Sequence, residues 1–239
     1  MSWCKESGPP KKGAQLKKII PTYDEALVCI QNEVNDPFVV VVGAMDGRMF
    51  DPIYPYVSKY HWKGLFIEPL PDLFEKLKKV YPHASELSFA NVALDCQPGT
   101  RTMYRIAPGY LVSEEMPEWA IGISSFYPDR NRLKSSIFEG KREEIKVQCQ
   151  TWTQVLGEHH VKKIDVLQID TEGHDWELLS CFDFEQYRPF LLRIEAHNLK
   201  PGEVHLANAM LNKYQYVTII ESGDMVAFSQ ACLRWMGFS

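Results

Sequence analysis

Hydrophobic and polar positions along this chain follow two rhythms that take turns. "TYDEALVCIQNEV" (22–34) spaces Ala26, Leu27, Ile30 and Val34 at helical intervals behind an acidic first turn. "FVVVVG" (38–43) is continuously apolar and β-branched, the pattern of a strand buried on both faces. A helix is predicted over 49–60, where Pro52 suits a first turn and Pro55 fits less well. The alternation continues with a strand at 62–69, a helix at 71–82 and strands at 86–95 and 102–107. After a break it resumes with a strand (144–152), a short helix (151–159), a strand (163–170), a helix (175–187), a strand (189–198) and a helix (203–214). "YQYVTIIES" and "DMVAFSQ" close the chain as a hairpin around Gly223. Strands alternating with helices predict an α/β fold, a mostly parallel sheet with helices on both faces and a C-terminal antiparallel hairpin.

Between 107 and 140 neither rhythm holds. "GYLVSEEMPEWAIGISSFYPDRNRLKSS" is polar and aromatic at once, and an irregular stretch of that length inside a domain points to function. We read 107–140 as a lid or substrate insertion, with Trp119, Ser124 and Ser125 as acceptor contacts. Residues 1–18, rich in Gly, Pro and Lys, read as a flexible tail, and 19–239 as one domain.

Composition narrows this further. The 239 residues are 45% hydrophobic and carry a net charge of -5, which argues against a nucleic-acid partner despite the local cluster Arg130, Arg132, Lys134. No apolar run is long enough to span a bilayer, and the basic N-terminus lacks the apolar core of a signal peptide. Cys4, Cys29, Cys96, Cys149, Cys181 and Cys232 show no paired spacing and read as reduced thiols. These features place the chain in the cytoplasm.

In open α/β sheets ligands bind beyond the carboxyl ends of the strands. Here those ends carry Gly43, Ala44, Asp46 and Gly47; then Glu68 and Pro69; then Asn91, Ala93 and Asp95; then Asp170, Glu172 and His174; then Glu195 and His197. Each alone reads equally well as a turn or a helix cap; five in chain order point to a site. A glycine turn admits a ligand to the backbone, and an acid 25 residues after Gly43 suits a ribose diol. The pair implies a nucleoside cofactor. Asp46 would repel a pyrophosphate and matches a cationic ligand, such as the sulfonium or amino group of S-adenosylmethionine (SAM).

The stretches "VGAMDGRMFDPIYPYVSKYHWKGLFIEPLPDLFEKLKKVYP", "IDTEGHDWELLSCFDF" and "PFLLRIEAHNL" resemble the FkbM family of SAM-dependent methyltransferases over roughly residues 38–230. The resemblance implies a Rossmann-like class I methyltransferase fold with a seven-stranded sheet. It also implies adenine contacts at Asn91, Val92 and Ala93, and methylation of a hydroxyl on a small molecule or glycan. Two positions depart from the family pattern: Val41 where many members carry an acid, and Met45 where Asn is usual. A nicotinamide-dependent oxidoreductase would share the ribose acid but needs a different glycine spacing. A non-catalytic scaffold would show damage at Gly43, Gly47 or Glu68, and none is present.

Two chemistries fit the fourth and fifth strand ends. In one, His174 or His197 is a general base beside Asp170 and Glu172. In the other, Asp170, Glu195 and His197 bind a divalent cation such as magnesium that acidifies the acceptor hydroxyl. The simpler alternative is that His174 begins a helix and Glu195 holds it there.

Overall fold

The computed structural model describes residues 21–238 apart from 82, 112–115 and 130. The N-terminal tail, Cys4 and Arg130 lie outside the described residues. In chain order the helices and strands are α1 (Tyr23–Glu33), β1 (Phe38–Val42), α2 (Tyr54–Tyr60), β2 (Lys63–Ile67), α3 (Pro71–Val80), β3 (Leu87–Ala90), β4 (Ala93–Leu94), β5 (Gly99–Ile106), β6 (Ser124–Ser125) and β7 (Arg142–Gln150). They continue with α4 (Trp152–Glu158), β8 (Val166–Ile169), α5 (Asp175–Ser180), β9 (Leu191–Glu195), α6 (Pro201–Lys213), β10 (Val217–Glu221), β11 (Asp224–Phe228) and α7 (Gln230–Trp235).

The main sheet has seven strands in the order β10-β11-β9-β8-β1-β2-β3. β3, β2, β1, β8 and β9 run parallel, and β11 is antiparallel to both β9 and β10. β8 is the middle strand and β1 lies beside it, and the side chains of β1 alternate between two cores because successive strand residues point to opposite faces. Val40 and Val42 join Trp152 and Val155 of α4, Leu178 of α5 and Leu211 of α6. Val39 and Val41 join Leu27 and Ile30 of α1, Val57 of α2 and Leu233 of α7. Each such fully buried aliphatic side chain stabilises the fold by about 1.5–3 kcal/mol. β1 contributes to both cores, so the strand whose end opens the candidate site is buried on both faces.

Local chemistry sets the element ends. Thr22 caps α1 reciprocally: its hydroxyl accepts from Glu25 N (3.3 Å), and the Glu25 carboxylate accepts from Thr22 N (2.9 Å). α2 starts at Tyr54 rather than at residue 49. This places Pro55 in the first turn, where its missing N–H leaves no bond unmade. The helix read over 175–187 stops at Ser180, and Asp183 instead folds a turn by accepting from Glu185 N and Gln186 N.

The strand read over 86–95 divides at Asn91. Leu87–Ala90 extends the main sheet, whereas Ala93–Leu94 crosses to a second, four-stranded sheet of order β4-β7-β5-β6. The described residues of 107–140 include short 3-10 turns and β6 around a small core of Ile106, Ala120, Ile123, Leu133 and Phe138. α7 was not anticipated. Cys96 and Cys181 form a disulfide with Cα atoms 5.9 Å apart, contrary to the reading of reduced thiols; Cys29, Cys149 and Cys232 are free. Among the described residues no helix is long and apolar enough to cross a membrane.

Candidate active site

The carboxyl ends of β1, β2 and β8, with the β3–β4 connection and the 107–140 insertion, enclose one cavity. Its lower wall begins at Gly43. That residue has φ +77°, and a Cβ there would overlap the carbonyl oxygen of Asp170, so only glycine lets β1 and β8 end this close together. Glu68, 3% exposed, joins the neighbouring loops: Oε2 accepts from Met45 N (2.9 Å) and Oε1 from Leu70 N (2.8 Å). Burial outweighs those bonds and pushes its carboxyl up to about 8. Each oxygen keeps a second lone pair, and Glu68 lines the cavity.

Asp170 and Glu172 also line the cavity, with Glu195 behind them. Oxygens of Asp170, Glu172 and Glu195 all lie within 4.8 Å of one another. Asn198 Nδ2 bridges two of them, donating to Glu172 Oε2 and Glu195 Oε1 at 2.8 Å each. Glu195 Oε2 is buried with no donor to accept from. Burial and mutual repulsion raise Glu172 and Glu195. Asp170, exposed at the cavity, is raised by partial desolvation there, moderated by the Arg193 guanidinium, which itself pairs with Asp224 at 2.5 Å. A fourth carboxylate, Asp51, accepts from Ile53 N (2.9 Å) and Gln168 Nε2 (3.4 Å) through Oδ1, while Oδ2 is buried without a donor. Its carboxyl is pushed up to about 6 by burial.

Glu172 is held in an unusual way. Its φ is +55°, and its carbonyl accepts from the Ser125 hydroxyl (2.7 Å) and the Asn131 amide (3.4 Å). The insertion therefore grips the backbone of the residue whose carboxylate Asn198 aims. A non-glycine residue kept at positive φ costs of order 1–3 kcal/mol and persists only where its surroundings fix it.

His174 borders the cavity, but its nitrogens are occupied. Nε2 lies 3.2 Å from Asp95 Oδ1 and Nδ1 lies 3.1 Å from the Tyr127 hydroxyl, whose O–H also reaches Glu177 Oε1 at 3.3 Å. Burial lowers its pKa. Arg101 completes the chain, 2.6 Å from Asp95 Oδ2 and stacked 3.8 Å over the Phe126 ring. His174 thus ties β4, α5 and the insertion together at the N-cap of α5, with Asp95 rather than Glu195 as its anchor.

Of the residues singled out from the sequence, Gly43, Ala44, Glu68, Pro69, Val92, Ala93, Asp170, Glu172, His174, Trp119 and Ser124 line the cavity. Others stand elsewhere. Asp46 Oδ1 accepts from Arg48 N and Met49 N, fixing the loop rather than facing the cavity. Gly47 (φ +76°) gives α3 room, since a Cβ there would press on Leu77 and Val80. Asn91 Nδ2 donates to the carbonyls of Glu68 (2.9 Å) and Pro69 (3.2 Å). Ser125 is fully buried beneath Glu172. His197 is exposed and lies over Gly223, so the carboxylate cluster gains Glu172 in its place. Asp51, Phe50 and Gln168 were missed; the polar residue next to Pro52 was the available signal for Asp51.

A β3-β2-β1-β8-β9-β11-β10 sheet with its cavity at the strand ends is a Rossmann-like class I methyltransferase fold. The profile of the FkbM methyltransferase domain matches residues 42–218, and the chain belongs to that family. Among solved structures it is similar to a methyltransferase FkbM from Methylobacillus flagellatus (11% identity, TM-score 0.48, covering 81% of this chain and 43% of that one). It is also similar to a precorrin-6y C5,15-methyltransferase from Geobacter metallireducens (10% identity, TM-score 0.40, 91% and 93%). A third is an RNA methyltransferase from Salinibacter ruber in complex with S-adenosyl-L-homocysteine (13% identity, TM-score 0.37, 88% and 95%). No curated protein matches the chain.

Proposed function

We propose that this protein transfers the methyl group of SAM to a hydroxyl of a small molecule or glycan. One observation carries the reading. A wall suited to an adenosine (Gly43, Glu68, Val92, Ala93) and a set of carboxylates with raised pKa values share a single cavity. The free lone pairs of Glu68 would take the ribose diol. Asp51, with its unpartnered oxygen, would take the cofactor's ammonium in place of Asp46. When bound, the cofactor supplies an electrophilic methyl on sulfonium. Glu172 is the candidate base: aimed by Asn198 and raised above its ordinary range, it can accept the acceptor's proton near neutral pH. Asp170 beside it would orient the hydroxyl, and His174 would serve as a positioning residue. The insertion would cover the acceptor through Trp119 and Ser124.

The cavity lining contains no Lys or Arg among the described residues, which favours an uncharged or cationic acceptor over a nucleic acid. A second reading has a divalent cation held by Asp170, Glu172 and Glu195, hard oxygen ligands that would acidify the hydroxyl. Calorimetry with S-adenosylhomocysteine (SAH), then radiolabelled methyl transfer to fractionated metabolites and glycans, tests the main reading. Failure of SAH to bind would remove it. Activity that survives dialysis against EDTA would remove the cation.

A further inference from the structure

Phe50 carries two liabilities at once. Its side chain is 68% exposed, and its backbone φ is +58°, a left-handed conformation that bulky residues avoid. The turn does not need this ring. Asp46 and Asp51 fix the loop through Arg48 N, Met49 N and Ile53 N, and asparagine or glycine would suit the position better. Nor does the core need it: Phe50 belongs to none of the apolar clusters and pairs with no other ring among the described residues. It does border the cavity.

Its neighbour Asp51 accepts from Gln168 Nε2 of β8, the strand that ends one residue before Asp170, so Phe50 stands beside the carboxylates of the cavity. Trp119 lines the same cavity from the insertion, its ring backed by Phe138 (5.8 Å, edge-on) and covered by Arg132 (4.8 Å). Apolar rings at the mouth therefore accompany carboxyl groups that, once ionised, accept hydrogen bonds from hydroxyls. A matching ligand has one C–H face and several hydroxyl donors, and carries no negative charge.

We propose that Phe50 is a specificity-determining residue, an apolar platform on which the ring of a polyol acceptor such as a pyranoside rests while its hydroxyls donate to Glu172 and Asp170. The inference rests on the methyl-transfer reading for the acceptor's role, though not for its seat on Phe50.

The test is saturation-transfer NMR on the full chain with SAH, using methyl β-D-glucopyranoside and, as a ringless polyol, D-sorbitol. Wild type and Phe50→Tyr should saturate the pyranoside C–H protons. Phe50→Asn, which tolerates the left-handed backbone, should bind it at least about tenfold more weakly, a loss of about 1.4 kcal/mol. Sorbitol should give little signal in all three. SAH affinity should be equal across the variants, and the Tm of Phe50→Asn should equal or exceed that of wild type. Equal pyranoside signals in wild type and Phe50→Asn, no pyranoside signal in wild type, or a lowered Tm in Phe50→Asn would each overturn the proposal. Absence of SAH binding alone would count against methyl transfer, and the same titrations without SAH would still decide the role of Phe50.

Discussion

Glu172 concentrates the chemistry of the candidate site in one residue. Glu172→Gln keeps the shape and the Asn198 contact but cannot take a proton, so kcat should fall by about 10²–10⁴ with SAH affinity unchanged. In wild type, kcat should rise with pH as the raised carboxyl ionises, and the variant should lose that limb; a pH profile of kcat checks both. Asp51→Asn should weaken SAH binding by about 1.5–3 kcal/mol by calorimetry, whereas Asp46→Asn should leave it nearly intact. This contrast also marks how far the sequence was legible. That Gly43, Glu68 and Asp170 would line one cavity was legible because a parallel strand's end is a known place for ligands. The choice between Asp46 and Asp51 depends on which way a tight loop turns, and the loop is set by hydrogen bonds that the sequence does not display. His197 stands apart from the carboxylates for a similar reason: β9 ends at Glu195, so the alternation that would put the two residues on one face has already stopped.

At the scale of elements, strong periodicity was legible and divided loyalty was not. α1, β1 and α3 follow their apolar patterns closely, because the buried positions of each recur at the regular period of one element. Residues 86–95 look like one strand because Phe89, Ala90, Ala93 and Leu94 are all apolar, yet they serve two sheets. The pairing of Cys96 with Cys181 brings together residues 85 apart in sequence, which no local pattern reports. It joins the turn after β4 to the end of α5, one residue beyond Asp95 and seven beyond His174. Reduction should cost about 2–4 kcal/mol of stability by releasing the unfolded chain. A Tm lowered by several degrees in reductant, and equally in Cys96→Ser, checks this, and mass spectrometry after alkylation without reductant should show Cys96 and Cys181 unlabelled.

The whole molecule stores protons in its cavity. Glu68 and Glu172 have ordinary values of 4.5 and folded values of about 8, so the folded state holds protons that the unfolded state releases. Their contribution to stability is fully present below about pH 4.5 and is lost as pH rises towards 8. Comparing Tm at pH 5 and pH 8, wild type should lose more than Glu172→Gln; equal losses would mean that the cavity does not set the slope. One further consequence follows from the second sheet. Ala93, on the wall proposed for adenine, lies in β4 at one edge of that sheet, and Ser124, proposed to meet the acceptor, lies in β6 at the other. The two proposed ligand walls thus belong to one sheet, and an adenosine seated on β4 would steady the strands that carry Ser124. Steady-state kinetics should accordingly be ordered, with cofactor entering first and leaving last, and SAH should inhibit competitively against SAM but not against the acceptor.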